Sequence, residues 1–206
     1  MAASLREAEP LKQARPVGVY WGRFNPPHRG HLAMIRRLRL RCRLTVAVGS
    51  SEHKNERANP FSGAERKAML RAYLKENGIH GVTVVALNDG KTRAWAVDNL
   101  IRKCKPELLF LSNEKSDLVK VATRKVRVVR LARSGRVSST LIRNLIARGD
   151  PRWKRFTGRS VARAVERVGG VRRIQRAYAG TLSGTGSSHP RRRTAHSRRR
   201  TGTGAR

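Results

Sequence analysis

An α/β domain built on a doubly wound, five-stranded parallel sheet with a small helical C-terminal cap is what this sequence predicts, on three observations. Short runs rich in Val, Leu and Ile recur along the chain, amphipathic segments stand between them, and a Gly- and Pro-rich turn follows the first run. The runs are VGVYWG (17–22), LTVAVGS (44–50), VTVVAL (82–87), LLFL (108–111) and VRVVRL (126–131). Their near-continuous apolar character is that of strands covered on both faces. Arginines within the last run mark it as an edge strand.

The segments between the runs carry helical spacing. In GHLAMIRRLRLRC, Leu32, Ile35 and Leu38 share one face and arginines the other. In SGAERKAMLRAYLKENG, Ser62 is placed as the N-cap, Glu65 as its capping partner and Gly78 as the stop. AWAVDNLIRKC predicts a third helix and SSTLIRNLIARG a fourth. Past a turn at Asp150-Pro151, SVARAVERVGGVRRIQRAYAG supplies the helical cap, from about residue 151. Residues 1–15 read as a flexible N-terminal extension, 16–180 as the folded domain, and 181–206 as a disordered tail with two Arg triplets and no acidic residue.

Charge and composition narrow the function classes. The 47 Lys and Arg against 13 Asp and Glu give a net charge of +34, which favours polyanionic partners. Cys42 and Cys104 have neither disulfide-framework nor metal-ligand spacing and read as reduced core thiols. No apolar run reaches the ~18 residues of a membrane span, and the first residues lack the apolar segment of a secretion signal, so the expectation is a cytoplasmic protein with no membrane partner.

The chemistry concentrates in YWGRFNPPHRGHL, residues 20–32. In open parallel sheets ligands sit beyond the carboxyl ends of strands, where loops lead into helix N-termini. Gly22 is expected to let the backbone approach a ligand, and Gly30 to allow close packing as the helix starts. The helix N-terminus, with Arg23, Arg29 and His28, favours a phosphate. His28 and His31, three residues apart, share a face and can direct ring N–H groups at the same oxygens. Two histidines without a nearby thiol or carboxylate are too few for zinc, so no metal-ligating residues are assigned.

Strand-G-R-F-x-P-x-H-x-G-H resembles the first signature of the nucleotidyltransferase superfamily with the HxGH motif, which carries a Rossmann-like fold. The superfamily's second signature, S-S/T-x-x-x-R at a helix start, is matched by Ser138, Ser139, Thr140 and Arg143 in VSSTLIRNLI. The intervening segments VGSSEHKNERANPFSGAERKAML, LNDGKTRAWAVDNL and LFLSNEKSDLV are similar to those of archaeal-type nicotinamide-mononucleotide (NMN) adenylyltransferases.

The resemblance implies the reaction of NMN with ATP to give NAD and pyrophosphate, with Mg²⁺ accompanying ATP, and homo-oligomers are common in that family. It assigns catalytic roles to His28, His31 and Arg143, and phosphate or ATP contacts to Gly22, Arg23, Phe24, Asn113, Ser138, Ser139 and Thr140. It gives Trp95 the role of stacking on nicotinamide, with Asn88 and Asp89 as polar neighbours. Arg66 reads equally as a helix-surface residue and as a functional one. Before Asn59-Pro60-Phe61 the family's His and basic residue are replaced by Asn55 and Ala58, with Arg57 one step off. Other phosphorylated acceptors (nicotinate mononucleotide, FMN, phosphopantetheine, choline or glycerol phosphate) and an RNA-binding role on the same scaffold remain as alternatives.

Overall fold

A computed structural model describes residues 14–111, 117–132 and 135–182. Asn113, most of the expected N-terminal extension and the tail from residue 183 lie outside them. The strands are β1 (Val17–Gly22), β2 (Arg43–Val48), β3 (Thr83–Ala86), β4 (Leu108–Leu111) and β5 (Arg127–Arg130). They form one parallel sheet in the order β3-β2-β1-β4-β5, so the chain winds outward from β1 in both directions. Arg127 and Arg130 are exposed on the edge strand β5, as their sequence context predicts.

The helices are α1 (Arg29–Leu38), α2 (Gly63–Glu76), α3 (Arg93–Cys104), α4 (Asp117–Thr123), α5 (Ser139–Ala147), α6 (Trp153–Thr157), α7 (Arg159–Arg167) and α8 (Gly170–Leu182). The α2 boundaries follow local chemistry. Ser62 Oγ accepts from the Glu65 N–H, Glu65 accepts from the Ser62 N–H, and Gly78 takes the left-handed φ of 62° just past the end. The short helices α4 and α6 are not anticipated by periodicity, and α8 continues through Thr181 and Leu182, two residues beyond the expected start of the tail.

Alternation along the strands divides the core into two layers. Tyr20, Val46, Val48, Val84 and Phe110 face α1, α2 and the C-terminal helices. Val19, Trp21, Ala47, Leu109 and Leu111 face α3 and α4. Cys42 is a free thiol buried in the first layer, donating to the Leu38 carbonyl, whereas Cys104 is free but only half-buried beside the second. No helix among the described residues is long and apolar enough to cross a membrane.

Candidate active site

The carboxyl end of β1 runs straight into the site. Gly22, the last residue of β1, stands tight against its own loop. A Cβ at Gly22 would stand 3.1 Å from the Phe24 ring, so the glycine makes room for a side chain of its own loop. Phe24 has a left-handed φ of 51° and is buried, with its ring between Tyr20, at 5.3 Å, and His31, at 4.7 Å. Its side chain belongs to the core, which leaves only its main chain for a ligand. Arg23 is exposed.

His28 caps α1 by an unusual version of the capping box, in which imidazoles replace hydroxyl and carboxylate. The Gly30 N–H donates to His28 Nδ1 and the His28 N–H donates to His31 Nδ1, each at 3.2 Å. With both Nδ1 atoms used as acceptors, each neutral ring carries its proton on Nε2 as a free donor. The rings stack at 3.7 Å. Burial holds the His28 pKa down to about 4, and burial together with the neighbouring His28 pushes His31 well below the usual imidazole range. The pair is therefore uncharged at neutral pH: two N–H dipoles side by side at a helix N-terminus.

The second signature meets the first through two hydrogen bonds that span more than a hundred residues of sequence. Ser139 Oγ donates to the Pro26 carbonyl at 2.9 Å, and Arg143 Nη1 donates to the Asn25 carbonyl at 2.8 Å. Arg143 is buried, with Nε on the Tyr178 hydroxyl and Nη2 on Thr140 Oγ1, both at 3.3 Å. A guanidinium has five N–H groups, so two remain for an anion. Ser138 is the N-cap of α5, accepting from the Leu141 N–H. Its hydroxyl is thus structural, and the N-termini of α1 and α5 open at one place.

Of the two roles open to Arg66, the helix surface is the one the structure removes: the side chain is fully buried. Its guanidinium donates to the carbonyls of Phe61 and Ser62 through Nε, of Arg23 and Gly49 through Nη1, and of Ser50 through Nη2, at 2.7 to 3.2 Å. This one cation ties the loop after β1 to the loop after β2 and to the start of α2. Desolvation lowers its pKa to about 10, still far above neutrality. Because Arg23 C=O is turned inward, the N–H of the same peptide plane, that of Phe24, is turned away from the guanidinium.

The loop before Phe61 closes a flank of the site. Asn25 Nδ2 donates to Asn59 Oδ1, and Asn59 Nδ2 to Glu56, so a buried amide pair joins this loop to the first signature. Arg57 lies over the Tyr178 ring at 4.5 Å, which brings a second guanidinium close to Arg143 from the position next to Ala58. Sequence reasoning misses Tyr178, Asn25 and Asn59. Nothing in a single chain marks a tyrosine of a C-terminal helix as the partner of Arg143.

The remaining candidates form a separate flank at the start of α3. Asn88 Oδ1 accepts from the Gly90 N–H, and Asp89 accepts from the Ser50 N–H and Oγ, at 2.8 and 2.7 Å. Both side chains shape the loop. Trp95 is 44% exposed, and its ring lies so close to Gly90 that a Cβ there would collide with it. It is not a core tryptophan. Among the described residues no three His, Cys, Asp or Glu side chains stand together as a metal cage.

The cytidylyltransferase-like family model matches residues 19–145. The nicotinamide-nucleotide adenylyltransferase of Pyrobaculum neutrophilum is 34% identical over 169 residues, covering 79% of this chain and 94% of the relative, and that of Pyrobaculum aerophilum is 32% identical over the same shares. A Francisella tularensis bifunctional NMN adenylyltransferase/ADP-ribose pyrophosphatase, solved with AMP and a manganese ion, superposes with a TM-score of 0.62 at 18% identity, over 82% of this chain and 53% of that one. A putative nicotinate-nucleotide adenylyltransferase from Vibrio parahaemolyticus gives 0.53 at 16%, over 71% and 95%. The two solved structures bear out the fold. With paired imidazoles and a buried arginine meeting at the ends of two helices, and with these matches over most of its length, the chain belongs to the cytidylyltransferase-like nucleotidyltransferase family.

Proposed function

We propose that this protein is a nicotinamide-nucleotide adenylyltransferase, transferring AMP from ATP to NMN to give NAD and pyrophosphate. The observation that carries the reading is the junction of the two signatures through Ser139 with Pro26 and Arg143 with Asn25. In this mechanism a phosphate oxygen of the mononucleotide attacks the α-phosphorus of ATP in line, and the bond to the β-phosphate oxygen breaks. The protein positions the reactants and stabilises charge, without a covalent intermediate. The Nε2–H groups of His28 and His31 and the two spare N–H groups of Arg143 hold the phosphates as charge moves onto the leaving pyrophosphate. The Phe24 N–H and exposed Arg23 add donors from the first loop, and Thr140 completes the grip around Arg143. Trp95, exposed beside Asn88 and Asp89, offers a stacking face for the acceptor's ring.

Mg²⁺ would accompany ATP and offset the charge of its phosphates, beside the donors of His28, His31 and Arg143. On the same reading the enzyme is a cytoplasmic homo-oligomer. Its Arg-rich segment after residue 182 adds a non-specific, salt-sensitive affinity for polyanions. The test is pyrophosphate release from ATP and Mg²⁺ with a panel of acceptors. Turnover with NMN is expected; turnover with FMN or phosphopantetheine and none with NMN overturns the reading.

A further inference from the structure

At the end of the sheet opposite the candidate active site, a cavity of about 530 Å³ opens where α1 runs into β2 and where β1 and β3 begin. Val17 starts β1 and Gly22 ends it, so about 16 Å of strand separates this cavity from the loop that leads to His28. Arg15, Arg39, Arg43 and His80 converge on it, and no Asp or Glu stands among the residues that line it.

Strand register brings further polar groups to the same place. Thr45 of β2 is the direct neighbour of Thr83 of β3, so their side chains project on one face of the sheet, and Arg43 stands on that face two residues before Thr45. Arg39 is the C-cap of α1, and Arg15 belongs to the chain entering β1. Among the described residues none of the three guanidinium groups pairs with a carboxylate. Two features of this edge oppose an anion. The end of α1 contributes the partial negative charge of its dipole, about half a unit, and Glu107 reaches the start of β1, where it accepts from the Val17 N–H. The Leu38 carbonyl at that helix end is already taken by the N–H groups of Arg41 and Cys42. Against three guanidinium charges, a positive excess remains.

We propose that this cavity is a second anion site, taking a small ligand with several linked phosphates, of which inorganic tripolyphosphate is the simplest. The proposal stands independently of the reaction proposed above. Like charges gathered without a counter-ion repel one another, and one anion with several charges relieves them together. Guanidinium forks, threonine hydroxyls and an imidazole N–H can all donate to phosphate oxygens. The ligand has to be multiply charged, because Arg15 and Arg43 are exposed and water weakens each contact. No aromatic side chain lines the cavity, which favours a compact phosphate ligand over a single nucleic-acid strand, whose bases stack on aromatic platforms.

The experiment titrates the full-length, isotopically labelled protein with tripolyphosphate, orthophosphate and a short DNA oligonucleotide at physiological ionic strength. It follows the amide NMR signals of Gly81 and Thr83, which line this cavity, separately from that of Gly30 at the start of α1. Tripolyphosphate is expected to shift Gly81 and Thr83 and to bind at least about tenfold more tightly than orthophosphate. Arg39→Gln combined with Arg43→Gln should weaken that binding about tenfold or more. Arg163→Gln combined with Arg167→Gln removes the same charge from exposed positions of α7, outside the cavity, and should change it by less than about threefold. Unmoved Gly81 and Thr83 signals, or equal weakening in the two double variants, would overturn the proposal. So would an oligonucleotide that shifts those two amides at lower concentration than tripolyphosphate, since the cavity would then belong to a nucleic-acid backbone. The wild-type titration decides the matter by itself if the paired substitutions unfold the chain.

Discussion

The two flanks of the site are built in opposite ways. On the flank proposed for phosphate, His28 and Arg143 are buried; the His28 ring accepts from the Gly30 N–H in the first turn of α1, and Arg143 holds the Asn25 carbonyl of the loop before it. Arg66 fixes the same loop from beneath through the Arg23 carbonyl. On the flank at the start of α3, Trp95 is 44% exposed, and the Asn88 and Asp89 side chains hold their own loop and Ser50. On the proposed reaction, the difference follows from what each flank would bind. Phosphate chemistry needs donors set before the charge moves, whereas an aromatic ring gains mainly from burial of its own surface, and a surface tryptophan can supply that.

This contrast would be broken most sharply by substitutions on the phosphate flank. His31→Ala and Arg143→Ala are each expected to lower kcat/KM by about 100- to 1,000-fold in pyrophosphate-release assays, with far-UV circular dichroism unchanged. Arg143→Lys should not restore activity, because a lysine cannot reproduce three directional contacts while keeping two N–H groups for phosphate. Activity near wild type in either alanine variant would place the chemistry elsewhere.

Arg66→Met tests whether the flank is rigid because of the cation beneath it. Five carbonyls lose their donor, so urea unfolding should show a loss of about 3 kcal/mol or more. A loss below about 1 kcal/mol would mean that the loops hold themselves.

Acid offers a third probe, with a defined sign. The unfolded chain protonates His28 near pH 6.5, whereas the folded chain resists until about pH 4. The unfolded state binds more protons between those values, so stability falls as pH drops through that window and the loss levels off below it. The His28 contribution amounts to up to about 3 kcal/mol, since a tenfold change in proton affinity is worth about 1.4 kcal/mol. His28→Asn, which keeps a capping acceptor, should flatten the slope of unfolding free energy against pH between 6.5 and about 4. An unchanged slope would show that the imidazole is not held neutral.

On the open flank the effect is smaller. Trp95→Ala should raise the acceptor KM by roughly three- to tenfold and leave the ATP KM unaltered, as lost stacking predicts. A change confined to ATP would move Trp95 to the other half of the site.

How much of this is legible in the sequence depends on how local the cause is. The α2 helix is readable because Ser62, Glu65 and Gly78 determine its ends within the chain segment itself. The doubly wound sheet is readable because each strand is covered on both faces and says so in its composition. The two short helices α4 and α6 are not, since one or two turns leave too little periodicity to see. Arg66 is ambiguous because arginine is ordinarily exposed, and its burial depends on carbonyls from three segments that converge only in the folded chain. The close approach of Phe24 to Gly22, two residues earlier, is not legible, because it depends on how the loop folds back.

The most direct measurement is the structure of the protein bound to a non-hydrolysable ATP analogue. The triphosphate is expected within hydrogen-bonding distance of Nε2 of both His28 and His31 and of the free N–H groups of Arg143, bridging the starts of α1 and α5. An analogue bound with its phosphates away from those three side chains would contradict the account.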